Sequence, residues 1–335
     1  MASTVDQGRD TSISAVHFDI LQTHILTRLD GPTLASTGCA SSTLHALSTE
    51  QKLWTDICNQ TWPSTNDPLV HRLISTFPAG HRSFFSDSFP TLDHRRSSQP
   101  NTEHPVPTSQ LISAVDIHYQ DKLIFSKLQE SETLSGWFMC SPFRFDLLDP
   151  KESVPTPVKL EGGEDTCRSN MEKNLTISWV VIDPTRKRAA NVSSLRPVSV
   201  QRHWLTGDIE ARYATIMAAD RSCTSSEFVQ CAIVVTCGGK EGGELHVKEV
   251  SLTVEDMDGK TLSGKECLVI LQEAMGNGRR KKGKGWEGKE RYEKYLELKR
   301  ERRERKQRRE KTLDMVCIAT GVTIFLAFWA LILFR

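Results

Sequence analysis

Apolar residues near the start of the chain repeat with the period of an α-helix. Leu21, Ile25 and Leu29 fall at positions i, i+4 and i+8, with Leu26 beside them, so an α-helix would place them on one stripe. The sequence Asp30-Gly31-Pro32 follows and favours a turn. The pattern therefore predicts an amphipathic helix that ends before this turn.

Two more short helices are predicted after the turn. One begins near Thr33 and carries Leu34 and Cys39 inward. The next begins near Ser41 and presents Leu44 and Leu47. Leu53 and Trp54 then return as bulky apolar residues. Three short helices make a poor core by themselves, and their apolar side chains outnumber what they can hide. We therefore expect part of this apolar surface to face a partner.

The pattern changes to a period of two after about residue 110. Short apolar runs separated by turn signals such as Gly162-Gly163 and Asp258-Gly259 predict strands. The predicted strands are LISAVDIHY, KLIFSK, GWFMC, FRFDLL, LTISWVVID, DIEARYATIM, FVQCAIVV, LHVKEVSLTV and CLVILQEAM. Many short strands with few helical intervals predict an antiparallel β-sandwich and, with the helices, an α+β fold.

The end of the sequence is an apolar run. Met315 to Phe334 contains twenty residues without a charge, enough for a helix of roughly 30 Å that could span a bilayer. Residues 279–311 before it contain 17 Lys or Arg and 7 Asp or Glu. Lys and Arg residues that flank a transmembrane helix stay on the cytosolic side. The chain is therefore expected to be a single-pass membrane protein with its bulk in the cytosol. Only Arg335 follows the run, as in tail-anchored proteins.

The basic segment has its own periodicity. Acidic and basic residues are paired at the helical spacing i, i+4, in Glu287–Arg291, Glu290–Lys294, Glu301–Arg305 and Glu304–Arg308. We interpret the segment as a solvated helix whose cations also meet anionic lipid headgroups. Nucleic-acid binding is not expected, because the adjacent apolar run already accounts for the charge.

Composition agrees with a cytosolic environment. Nine cysteines without a CxxC pair are typical of reduced thiols. The first residues lack the basic start and apolar run of a secretory signal. The formal net charge of +1 hides a strongly basic segment in an otherwise acidic chain.

The N-terminal pattern resembles the F-box family. That family has a Leu…Ile-Leu…Leu helix, a turn, a Leu…Cys-x-Ser segment and a closing Leu-Trp. Phe18 stands here where the family usually has proline, and Leu44 where tryptophan is common. The segment Phe77–Pro90, FPAGHRSFFSDSFP, is similar to a group of plant F-box proteins with a terminal span. The matching residues are Leu21, Ile25, Leu26, Leu29, Leu34, Cys39, Ser41, Leu47, Leu53 and Trp54.

The resemblance implies a non-catalytic adaptor without cofactor or metal. F-box helices pack on a Skp-type adaptor, which docks on a cullin, so the chain would hold an unknown target near a ubiquitin-conjugating enzyme. The residues implied to contact the adaptor are Leu21, Ile25, Leu26, Leu34, Leu53 and Trp54.

Two other classes of function remain open. One is a membrane-anchored module that binds carbohydrate or lipid and carries a degenerate F-box. The other is an enzyme built on the β-rich region, although its chemical motifs are weak. The run CGGKEGGE lacks phosphate-loop spacing and favours a hairpin loop, and Cys231 and Cys237 lack further zinc ligands nearby.

The expected organisation has six parts. They are a disordered start (1–14), an F-box with helical extension (15–92), a linker (93–109), a β-rich target-binding domain (110–275), a basic juxtamembrane helix (276–312) and a transmembrane helix with the end (313–335).

Overall fold

The computed structural model describes residues 17–89, 91–93, 107–159, 164–219, 226–239, 242–281 and 287–334. Residues 1–14 and most of the predicted linker lie outside them. The α-helices are α1 (Phe18–Ile20), α2 (Gly31–Thr37), α3 (Ser42–Ser48), α4 (Gln51–Thr61), α5 (Pro68–Ser75), α6 (His81–Ser88), α7 (Gly136–Cys140), α8 (Glu164–Asn174), α9 (Gly264–Asn277) and α10 (Glu287–Leu333). The strands are β1 (Thr91–Asp93), β2 (Gln110–Tyr119), β3 (Lys122–Glu132), β4 (Arg144–Asp146), β5 (Val154–Lys159), β6 (Leu175–Asp183), β7 (Arg188–Asn191), β8 (Ser199–Arg202), β9 (Ile209–Ala218), β10 (Phe228–Gly238), β11 (Glu244–Asp256) and β12 (Arg279–Lys281).

Local capping fixes where the short N-terminal helices begin. The Asp30 side chain accepts a hydrogen bond from the Thr33 amide at 2.9 Å, so α2 starts at the predicted turn. The Ser41 hydroxyl accepts one from the Leu44 amide at 3.2 Å and begins α3. These side chains satisfy amide groups that a helix start leaves unpaired.

The β-rich region contains two antiparallel sheets. The first has strand order β3-β2-β6-β7, and the second has order β4-β11-β10-β9-β8, with β5 also pairing with β11. Trp179 of the first sheet and Tyr213 and Ile233 of the second belong to one buried apolar cluster. The predicted α+β class with antiparallel sheets is confirmed.

Two predicted strands are wrong, because both segments are helical. GWFMC forms α7, begun by the Ser135 hydroxyl, which accepts a hydrogen bond from the Phe138 amide at 3.2 Å. CLVILQEAM lies inside α9, which begins with a capping box between Ser263 and Glu266. Helix α9 is apolar on its inner side because Leu271 and its neighbours complete the core between the sheets.

The two central strands of the first sheet, β2 and β6, are buried on both faces, whereas the edge strand β3 is mostly exposed or half-buried. The outer face of the sheet packs against the N-terminal helices, so that Ala114, Val180 and Ile182 share an apolar cluster with Leu26 and Ile74. This explains why β2 and β6 are nearly continuous runs of buried residues instead of alternating ones. The predicted F-box region and the predicted target-binding region therefore share this apolar cluster, while a second cluster fills the space between the two sheets.

Polar contacts reinforce this junction. Asp87 of α6 accepts hydrogen bonds from the Arg188 guanidinium, at 2.8 and 3.0 Å, and from the Ala189 amide at 3.2 Å. Ala189 is fully buried, so these bonds satisfy an amide at the junction.

Asp116 of β2 is the buried centre of the junction. Its carboxylate accepts hydrogen bonds from the Ser64 amide at 3.0 Å, the Ser64 hydroxyl at 2.6 Å and the Ser126 hydroxyl at 2.7 Å. Burial raises the pKa of Asp116, and these hydrogen bonds oppose that rise. The carboxylate joins the helical region to two neighbouring strands.

The first third of α10 packs on the outer face of the second sheet. Tyr295 is buried, and its hydroxyl donates to the Asp256 carbonyl at 3.3 Å. Lys289 pairs with Glu172 at 2.7 Å and Arg302 pairs with Asp258 at 3.0 Å. The expectation of a wholly solvated basic helix is therefore wrong for this part, because one face of the helix has a tyrosine anchor that the charge pattern concealed.

The predicted i, i+4 pairs of α10 are all formed. The nitrogen–oxygen distances run from 2.8 to 3.7 Å, in Glu287–Arg291, Glu290–Lys294, Glu301–Arg305 and Glu304–Arg308. Each pair stabilises the helix by about 0.3 kcal/mol.

Beyond Arg302 the helix has no buried or half-buried residue. Every residue from 303 to 334 is exposed, and α10 is the one helix of the described residues that is long and apolar enough to cross a membrane. Residues 303–312 would place about 15 Å of helix between the packed part and the apolar run.

Replacing Asp116 tests the junction. Asp116→Ala leaves three donors without their acceptor, and we expect a loss of about 2–3 kcal/mol in the free energy of unfolding. The measurement is urea unfolding of the full chain in detergent micelles, followed by tryptophan fluorescence. Asp56→Ala, at an exposed helix position, is the matched control and should change stability by less than about 0.5 kcal/mol. Equal losses for the two variants would contradict the assignment.

Replacing Tyr295 tests the packing of α10. Tyr295→Ala removes a buried ring, and we expect a loss of about 3 kcal/mol in packing free energy. Hydrogen exchange of the amides of residues 287–302 should then accelerate. Leu298→Ala, at an exposed position on the same helix, should leave exchange unchanged. Unaltered exchange in Tyr295→Ala would show that the ring does not hold the helix.

Candidate functional site

Most of the predicted adaptor-contact residues are core residues of this chain. Leu34 is fully buried, and Trp54, at 2% exposed, is nearly so. Ile25 differs, with 43% of its surface exposed. Leu21, Leu26 and Leu53 are also buried. The structure therefore buries five of the six residues, brings four of them into one apolar cluster and leaves Ile25 at the surface. Cys39, which the pattern predicts to face inward, is exposed.

The helical extension and the first sheet provide the cover that a three-helix unit lacks. The Trp54 indole packs on Phe85 with ring centroids 5.3 Å apart and donates to the Ser48 carbonyl at 2.7 Å. Trp62 lies against Phe84 at 5.4 Å. Residues after position 61 therefore cover most of the apolar surface that the three short helices would expose by themselves.

A π-helical turn explains why Ile25 points outward. Residues Leu21–Ile25 form this turn, and the Leu26 amide bonds to the Leu21 carbonyl five residues earlier. The wider turn places Leu21 and Leu26 on the buried side, in place of the predicted i, i+4 stripe through Ile25. The predicted α-helical register is wrong here, since a helix of standard pitch was assumed.

Two further apolar residues near the start are exposed. Phe18 is 55% exposed and Ile20 is 49% exposed. Together with Ile25 they form what we call the N-terminal apolar segment, within eight residues of one continuous helical stretch. Sequence reasoning missed Ile20 because it lies off the predicted stripe. An apolar residue off the buried stripe is itself a signal of a contact surface.

The titratable groups near the junction do not form a catalytic set. Ser64 and Ser126 donate to the Asp116 carboxylate and not to an imidazole. Burial lowers the pKa of His118, although Asp116 nearby opposes that effect. A nucleophile needs a base within hydrogen-bond reach, and these serines are bonded to a carboxylate that serves the fold.

Thiol chemistry finds no support in the described residues. Burial raises the pKa of Cys231 and of Cys237 to about 12, so both thiols are protonated at neutral pH. Groups of three or more histidine, cysteine, aspartate or glutamate side chains that could hold a metal ion are absent from the part of the chain that the structure describes.

Comparison with known proteins gives close relatives in Arabidopsis thaliana. F-box protein At2g27310 is 48% identical over 348 aligned positions, covering 99% of this chain and 100% of the relative. F-box protein At3g44326 is 47% identical over 300 positions, covering 86% and 82%. Probable F-box protein At2g36090 is 47% identical over 314 positions, covering 92% and 90%. No family model and no solved structure matches the chain.

Identity at this level extends over the helical region, both sheets and most of α10. The chain belongs to the plant F-box proteins. The resemblance seen in the N-terminal residues is thereby confirmed, and it applies to nearly the whole chain instead of to the motif alone.

Proposed function

We propose that the protein is the substrate-recruiting subunit of a Skp–cullin–F-box ubiquitin ligase, tethered to a membrane by its C-terminus. The membership of the family supports an adaptor role. The observation that carries the proposal for this chain is the exposure of Phe18, Ile20 and Ile25, at 43–55%, within eight residues of one another. The other large apolar residues of the helical region are buried or half-buried, apart from Leu69 and Phe89 at 36% each.

The direct contacts to a Skp-type adaptor are assigned to the N-terminal apolar segment. Leu26, Leu34 and Trp54 act indirectly, because they hold the helices in the arrangement that presents the segment. A complementary surface that covers the three exposed apolar side chains would stabilise the complex by about 25 cal/mol for each Å² of apolar surface removed from water.

The mechanism is proximity and needs no acid, base or nucleophile from this chain. Binding a target beside a charged ubiquitin-conjugating enzyme raises the effective concentration of its lysines. Because the helical region and the β-rich region share an apolar cluster, a target held on the second sheet would keep a fixed position relative to the adaptor.

The membrane proposal depends on α10. Its apolar end is uncovered by any residue that the structure describes, and twenty uncharged residues match a bilayer core of about 30 Å. Under this proposal the remainder of the chain lies in the cytosol, on the side of the basic residues.

Adaptor capture tests the ligase proposal. The double variant Phe18→Glu/Ile25→Glu places two charges in the proposed contact without touching the core, and we expect recovery of a Skp-type adaptor and a cullin to fall at least about tenfold, since burying unpaired charges at an interface is costly. The measurement is affinity capture of the full chain from plant extract.

Trp204→Glu is the control for this experiment, because Trp204 is 88% exposed and lies between β8 and β9, outside the helical region. It should capture both partners as the unchanged chain does. Capture that survives in the double variant would overturn the assignment of the contact. Failure of the unchanged chain to capture either partner would favour a membrane-anchored module that binds carbohydrate or lipid.

Charges placed in the apolar run test the tether. Ile324→Arg/Phe328→Arg should move the chain from the carbonate-resistant membrane fraction to the soluble fraction, because arginine at the centre of a span costs about 2.5–3.5 kcal/mol. Leu123→Arg/Trp204→Arg makes the same change at exposed apolar residues elsewhere and should stay in the membrane fraction. Membrane retention of the first variant would exclude this span as the anchor.

A further inference from the structure

A groove runs between α10 and the outer face of the second sheet. Its volume is about 720 Å³. Its floor is formed by outward-facing residues of β10 and β11, among them Gln230, Ala232 and Thr253. Its wall is formed by one side of α10. Tyr292 and Leu296 lie at the N-terminal end of this wall, and cations follow them along the helix.

The wall of the groove is strongly basic. It contains Lys299, Arg300, Arg303 and Lys306 but none of the six glutamates between Glu287 and Glu304. With 100° between successive residues of an α-helix, those glutamates fall on the sides that face away from the groove. Several of them are already neutralised by the i, i+4 pairs of the helix.

Lys299 of the wall lies over the Tyr295 ring, with its Nζ atom 5.9 Å from the ring centroid. The other three cations of the wall, Arg300, Arg303 and Lys306, form no ion pair with any residue that the structure describes, whereas Arg305 and Arg308 each pair with a glutamate one turn earlier. The lining as a whole has six cations against three anions. These are Arg144, Arg212, Lys299, Arg300, Arg303 and Lys306 against Glu249, Glu255 and Asp258. Arg144 and Arg212 are paired with Asp146 and Glu210, which lie outside the lining, so the unbalanced positive charge of the groove comes from the cations of α10.

The position of the groove along α10 favours a protein segment over lipid. The predicted transmembrane helix begins at residue 313. Lys306 lies seven residues before that point, about 10 Å along the helix, and Tyr292 lies about 30 Å before it. The headgroup layer adds only about 5–8 Å to each side of the bilayer core. Most of the groove thus lies beyond the headgroups.

We propose that this groove is the target-binding site and that it accepts an extended acidic peptide segment. Arginine side chains bind carboxylates in bidentate geometry, and the polar floor offers hydrogen bonds to a peptide backbone. The groove would reach a peptide segment that lies within about 30 Å of the bilayer. Such a segment occurs in the cytosolic part of another membrane protein, next to its transmembrane helix. This inference rests on the proposed function, because it names the kind of target that the ligase subunit recruits.

Peptide binding by the full chain in nanodiscs of phosphatidylcholine tests the proposal. The probes are fluorescein-labelled dodecapeptides of alternating Glu and Ser and of alternating Lys and Ser, measured by fluorescence anisotropy at physiological salt. The unchanged chain should bind the acidic probe and not the basic one. Arg300→Glu/Arg303→Glu should weaken binding of the acidic probe at least about tenfold.

The control variant has the same change of charge on the same helix. Arg308→Glu/Lys311→Glu lies outside the groove and should bind within about twofold of the unchanged chain. Ala232→Trp fills the floor without changing the charge, and it should also weaken binding of the acidic probe. Thermal unfolding of each variant checks that it is folded.

Three results would overturn the proposal. Equal weakening by both charge variants would mean diffuse attraction to the basic helix. Undetectable binding of the acidic probe to the unchanged chain would remove the site. Binding that needs phosphatidylserine in the nanodisc would assign the cations to lipid.

Adaptor capture on the same variants separates this proposal from the ligase proposal. Arg300→Glu/Arg303→Glu should capture the adaptor normally, because the N-terminal apolar segment is unchanged. Peptide binding without adaptor capture by the unchanged chain would uphold the groove and refute the ligase function. The reverse result would refute the groove alone.

Discussion

The structure depends on the burial of β2 and β6, the central strands of the first sheet, on both faces. One face closes the core of the sandwich, and the other face completes the core of the N-terminal helices. Neither the short helices nor this sheet would be covered without the other. The polar groups at the junction are satisfied locally. Asp87 accepts three hydrogen bonds across it, and Asp116 accepts two across it from Ser64 and one from Ser126 of its own sheet. A charged residue is tolerated in such a place only because its donors are fixed by well-packed neighbours.

The same constraint assigns different roles to the residues of the F-box pattern. Leu26 and Trp54 match the pattern because the core needs them, whereas Phe18 departs from the pattern and is exposed. Ile25 matches the pattern and is exposed, so a match to a family motif combines residues that hold the fold with a residue that the fold does not need to bury. The separation between these roles comes from the sheet, which lies far along the sequence from the motif.

Much of the fold could be predicted from local patterns, and the errors have physical causes. Turn and cap residues such as Asp30 and Ser41 act through neighbours in sequence, so their effect was readable. The apolar run in α9 was assigned to a strand because its periodicity is masked by burial on most sides. The spacing of Ser263 and Glu266 was the available signal for a helix. The exposure of Ile25 depends on a π-helical turn, and the groove depends on where α10 crosses the sheet. Both arise from tertiary packing that local periodicity does not contain.

The continuity of α10 has a mechanical consequence. The helix runs without a break from the packed Tyr295 to the end of the apolar run. Under the membrane proposal it would act as a stiff lever that pivots in the bilayer. The packed part lies about 40 Å along the helix from the middle of the span. A tilt of about 20°, ordinary for a single span, would displace it sideways by about 15 Å. Membrane thickness, which sets tilt, would thus determine how far the remainder of the molecule can reach.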